Sequence, residues 1–180
     1  MIKDYMAPVI PGLVLAFLAI VFGTVAGMAF GLIEDDIKAH FLADVKAHPA
    51  IHEQTPGNIK KQVHDSWRYT QRAHFHAQGL GALGVGIILA LGLSSASTST
   101  RKWLSLAVGG GALLYPFCWL IAGLRIASMG KHAAKASVDW LAYISIPMFF
   151  GGMMLTLLIL ILGWLFPQGW PGFLKKFQYE

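Results

Sequence analysis

Four long apolar stretches alternate with polar segments along this chain, at about residues 8–33, 73–93, 103–126 and 138–166. A helix that crosses a bilayer needs about 20 predominantly apolar residues, and each stretch is long enough. The polar loop 34–66 separates the first two. Within it, Glu34–His48 sets Ile37, Phe41 and Val45 on one stripe between charges. That spacing predicts a short amphipathic helix on the membrane surface. Pro49 ends it, and Pro56-Gly57-Asn58 reads as a turn with Asn58 as the N-cap of the next helix. That helix is expected to run from Ile59 to about Leu93 without a proline. At 1.5 Å per residue it is about 50 Å long against a hydrocarbon core of about 30 Å, so its first turns must project from the bilayer. The pattern predicts an all-α, polytopic membrane protein over residues 1–180. Its expected form is one integral membrane domain, a four-transmembrane-helix bundle with a surface helix in the first loop.

Composition strengthens this reading. The chain is 56% hydrophobic and only 13% charged, with a mean hydropathy of +0.57, a combination uncommon in soluble domains. The net charge of +5 is scattered over loops and ends, so no nucleic-acid partner is expected. Cys118 is the single cysteine and sits inside the third stretch, where it forms no internal disulfide. The first stretch is about twice as long as a signal-peptide core and is read as a retained span. Four spans put both termini and the Ser94–Lys102 loop on one side, with Lys3, Arg101, Lys102, Lys175 and Lys176. These compact basic segments favour cytoplasmic termini in a bacterial inner membrane, although the opposite side carries more lysine and arginine in total.

All seven histidines then fall on the other side: His40, His48, His52, His64, His74, His76 and His132. Imidazole ligates haem iron, copper and zinc. His74 and His76 open the second span, about 200° apart around a helix, so they do not share one ion. Arg68 and Arg72 precede them on one face, a spacing that suits a haem propionate, a lipid phosphate or a carboxylate. Interfacial anchoring explains the same arginines. His132, in the Gly130-Lys131-His132 turn, is expected at the depth of Trp67 to His74. Tyr115 and Trp119 share a face of the third span beside Pro116, and Arg125 is placed to pair with Asp139. Trp67 and Tyr69 mark one interface, while Trp164 and Trp170 mark the other. Glycines at 23, 27 and 31, at 79, 81, 84 and 86, and at 109–111 fit close helix packing. The alternative is a thinned slot that admits a flat macrocycle. No strand precedes the Gly79-x-Gly81-x-x-Gly84 string, so it is not read as a nucleotide loop.

Arg72-Ala73-His74-Phe75-His76 carries two resemblances. Ala73-His74-x-His76 followed by Gly79 and Gly81 resembles the helix of haem–copper oxidase and nitric oxide reductase subunit I in which a histidine ligates haem b. This likeness implies a haem-ligand role for His74 or His76. Arg72-Ala73-His74 after a long polar loop is also similar to the four-span membrane glutathione transferase and eicosanoid (MAPEG) family. There, His76 stands in place of an asparagine and Gly79 in place of a glutamate.

Three functions are compatible with these residues. The leading one is a membrane subunit that binds haem b near the histidine face and passes electrons within a respiratory or related redox complex. Its ligands are His74 or His76 with His132, its propionate contacts Arg68 and Arg72, and its exchange partners quinol or a cytochrome. The second is a cofactor-free accessory subunit whose glycine faces dock on other membrane subunits or on copies of itself. The third is a glutathione-dependent enzyme using Arg72, His76, Tyr115 and Arg125. The chain has no HExxH, Walker or CxxCH motif, so any haem is non-covalent.

Overall fold

The computed structural model describes residues 6–166 and 168–178, leaving Lys3 outside. A short 3-10 turn, Ala7–Val9, leads into α1 (Ile10–Leu32). Then follow α2 (Glu34–Ala47), α3 (Pro56–Gly92), α4 (Thr98–Met129), α5 (Lys131–Ala136) and α6 (Asp139–Ile146). A π turn, Pro147–Gly151, joins α6 to α7 (Gly152–Leu165), and a 3-10 turn covers Gly172–Phe177. Four helical stretches are long and apolar enough to cross a membrane: Ala7–Leu32, Pro56–Gly92, Thr98–Met129 and Asp139–Leu165. The chain is all-α and of integral-membrane type.

Local chemistry sets the ends of these helices. Thr55, not Asn58, caps α3: its Oγ1 accepts the Asn58 N–H at 3.3 Å, and Pro56 occupies the first helical position, where a missing N–H costs nothing. Ser97 caps α4 by accepting the Thr100 N–H at 3.3 Å. Pro116 lies within α4. The fourth span, read from the sequence over about 138–166, widens into a π turn at Pro147. Proline brings no N–H to the helical ladder, and one wide turn accommodates the gap.

The described residues form two compact units, Met1–Ile20 with Gly79–Leu113 and Ile144–Glu180, and Val21–Gln78 with Leu114–Tyr143. In the first unit all four spans meet in a small-residue core of Val9, Ala16, Ala19, Ile88, Val108, Ala112 and Phe149. A Cβ on Gly109 would fall on the Gly12 backbone, and one on Gly111 would fall on Phe149. Gly84 faces Ala16, Val108 and Ala112. Neighbouring helices thus fill the places where the sequence allowed a slot for a macrocycle. Gly79 and Gly86 remain open, with nothing within 4 Å of an added Cβ. Fully buried Arg101 donates from Nη1 to the Gly92 carbonyl at 3.2 Å, satisfying an orphan carbonyl at the end of α3. The C-terminal segment folds back onto this end: the Ser97 N–H donates to the Phe177 carbonyl at 2.6 Å. Trp164 is 80% exposed, as an interfacial anchor should be, whereas Trp170 is buried at 2% exposure and serves as a wall.

In the second unit, the apolar stripe of α2 is covered by protein. Phe41 and Val45 pack with Trp67 and Ala127, and Phe30 meets Trp67 edge-on at 5.5 Å. Trp67 and Tyr69 are buried, so they are core residues here. Buried His52 donates from Nε2 to the Ala127 carbonyl at 2.7 Å, tying the α2–α3 loop to α4. Arg125 departs from the sequence expectation: Nη1 donates to Ser137 Oγ at 2.9 Å, and no ion pair with Asp139 forms among the described residues. Ser137 Oγ is held by the Ala134 carbonyl and sits within reach.

Candidate functional site

All seven histidines belong to the second unit, and the structure separates their roles. His40, His64 and His132 are exposed, and His48 caps its own helix by donating from Nδ1 to the Asp44 carbonyl at 2.8 Å. His74 and His76 point to different neighbours, as their spacing on α3 requires. A carbonyl oxygen only accepts, so any ring nitrogen bonded to one must carry the proton. That rule fixes both tautomers.

His74 donates from Nδ1 to the Gly23 carbonyl at 2.6 Å. Its ring lies where a Cβ on Gly27 would stand, with Phe30 edge-on at 6.5 Å. The Gly23/Gly27 pair therefore makes room for a histidine that joins α1 to α3. We expect Gly27→Ala to push the ring aside and break this bond at a cost of about 1 kcal/mol. Nitrogen NMR of His74 reads the result as loss of the single Nδ1–H tautomer; an unchanged spectrum would show that the ring does not need the gap.

His76 donates from Nδ1 to the Arg72 carbonyl at 2.9 Å, one turn earlier. Its ring lies 5.3 Å from both the Tyr115 and Trp119 rings of α4. Neutral His76 is left with Nε2 as an acceptor beside an aromatic wall. Arg72 joins the same cluster. Its guanidinium lies 4.9 Å from the Tyr69 ring and 4.8 Å from the Trp119 ring, stacked on two aromatic faces. Trp119 Nε1 is buried with no hydrogen-bond partner among the described residues. One turn of α3 and one of α4 thus gather an imidazole acceptor, a guanidinium and an unsatisfied indole donor. The arrangement suits a ligand with a metal or hydrogen-bond donor at one point and an anionic or carbonyl oxygen at another.

The sequence-derived residues divide accordingly. His76 and Arg72 come together with Tyr115 and Trp119. Arg68 is exposed, and His132 sits exposed on α5, with no hydrogen bond, ion pair or ring contact to His76 among the described residues. Of the glutathione set, Arg72, His76 and Tyr115 are adjacent, while Arg125 is engaged with Ser137. Tyr69 was not singled out from the sequence as a site residue, although its place three residues before Arg72 on α3 sets the two side by side. No group of three or more His, Cys, Asp or Glu side chains that could hold a metal ion occurs among the described residues. Comparison with family models, with curated proteins and with solved structures finds no match to this chain.

Proposed function

We propose that this chain is the membrane subunit of a redox complex and holds non-covalent haem b through His76. The supporting observation is a fixed tautomer set beside a guanidinium and an indole N–H, a cluster that His74, with the same tautomer, lacks. With Nδ1 committed to the Arg72 carbonyl, Nε2 is the nitrogen offered to iron, as in histidines oriented by a backbone carbonyl. The Arg72 guanidinium and the free Trp119 indole N–H suit the negative charge of a propionate. His132 is the second imidazole this chain offers at that face; otherwise a neighbouring subunit supplies it. Haem b with two imidazole ligands supplies one-electron transfer without an open coordination position. Its exchange partners at this face are quinol or a cytochrome. The chain's own residues orient the imidazole, screen it with aromatic rings and balance the charge of the anionic edge.

A visible difference spectrum, reduced minus oxidised, of protein made under haem-replete conditions tests the proposal. Sharp reduced α and Soret bands are expected, abolished by His76→Ala and retained in His74→Ala. A featureless spectrum sinks the haem reading. The open positions Gly79 and Gly86, on a span where Gly81, Gly84 and Gly92 are packed, then favour a cofactor-free subunit docking against another membrane helix.

A further inference from the structure

A cavity of about 700 Å³ opens in the first unit beside the start of α4, the body of α7 and the C-terminal segment. Its apolar lining includes Leu104, Leu155, Leu158 and Leu162, of which Leu155 and Leu158 are half-exposed. The stretch from Leu155 to Leu162 covers about 10 Å of a helix with membrane-span composition. Its polar lining is Ser97, Ser99, Thr100 and Lys176. Trp170 forms part of the wall at 2% exposure, and its Nε1 has no hydrogen-bond partner among the described residues.

The described charges of this unit have one sign. The first turn of α4 contains no acidic residue, so the positive end of its dipole is not neutralised from within the helix. Lys176 stands beside it. Every charged side chain among the described residues of this unit is a cation: Arg101, Lys102, Lys175 and Lys176. An uncharged amphiphile would leave that field uncompensated, and a zwitterionic lipid would bring a cation of its own to the lysines. A peptide would bury unpaired backbone groups against the leucines.

We propose that this cavity is a binding site for an anionic phospholipid. The phosphodiester lies over the α4 N-terminus and Lys176. One acyl chain follows Leu155, Leu158 and Leu162. The site is independent of the histidine cluster and of the haem proposal.

Native mass spectrometry of the full chain in detergent tests the site, with phosphatidylglycerol and phosphatidylcholine of identical acyl chains as probes. Wild-type protein is expected to retain phosphatidylglycerol about tenfold more tightly, and Lys176→Gln to remove about fivefold of that preference. Leu158→Trp, which fills the apolar wall, is expected to reduce retention of both lipids, with helicity checked by circular dichroism. Equal retention of the two lipids by wild-type protein overturns the proposal, and that comparison needs no variant. A phosphatidylglycerol preference left intact by Lys176→Gln overturns it too, because the anion would then sit elsewhere, for instance near Lys38, Lys46 and Lys60 of the α2–α3 groove.

Discussion

Gly109→Ala is expected to destabilise the protein by about 2–3 kcal/mol, while the chemically identical change Gly86→Ala stabilises it by about 0.5 kcal/mol. The difference lies in what the added methyl group meets. At position 109 it would fall on the Gly12 backbone, whose Cα stands 3.1 Å away, and no side-chain rotation relieves that overlap. Gly12 is equally committed, because its own Cβ would fall on the Ser105 backbone. α1 and α4 must separate to admit either group, which opens the core around Ala16, Val108 and Ala112. At position 86 nothing lies within 4 Å, and only the backbone entropy of glycine changes. Thermal or denaturant unfolding in one detergent measures both. Similar shifts for the two variants would show that the α1–α4 contact is not the tight one described.

The second large effect is expected at the surface helix. Phe41→Ala should cost about 3–4 kcal/mol, the range for emptying a buried aromatic site. Phe41 is 1% exposed and packs with Val45, Trp67 and Ala127, so its loss leaves α2 without the anchor of its apolar stripe. Leu42, at 36% exposure, is the matched control, and its replacement by alanine should stay within about 0.5 kcal/mol. Hydrogen exchange of the α2 amides distinguishes local from global consequences: release of α2 speeds exchange over Glu34–Ala47 before the spans respond. Unchanged exchange in Phe41→Ala would mean that the bilayer, rather than Trp67, holds this helix.

The spans were legible because apolar length is a property of the chain alone, and so was the period that put Phe41 and Val45 on one stripe. What that stripe faces was not legible. The same pattern serves a helix resting on lipid and one resting on Trp67 and Phe30, and tertiary contacts decide between them. Glycine shows the limit most plainly. Gly79 and Gly81 are two residues apart in one helix, yet an added Cβ at one meets nothing and at the other meets Ile20 and Ala16. The spacing of His74 and His76 required divergent directions, and α1 and α4 receive them. The contact of Arg72 with Trp119 was hidden, because it joins α3 to α4 across some 50 residues of sequence. The widened turn at Pro147 carried a signal, a proline inside an apolar run, but the pattern does not say whether the helix breaks, bends or widens. Trp170 and Arg125 were assigned by composition near a boundary; burial of the first and the Ser137 hydroxyl beside the second decide otherwise.

The distribution of charge between the two units has a consequence for acid and alkali. Among the described residues, the unit containing the Ser97–Lys176 cavity has no histidine, aspartate, glutamate, cysteine or tyrosine. Its described residues therefore carry no side chain of the types whose charge ordinarily changes between about pH 4 and 9. Every such group described lies in the other unit, with all seven histidines and seven carboxylates. Among the described residues, the side-chain types that answer protons between about pH 4 and 9 are thus gathered in one unit, while the charged side chains of the other are all lysine and arginine.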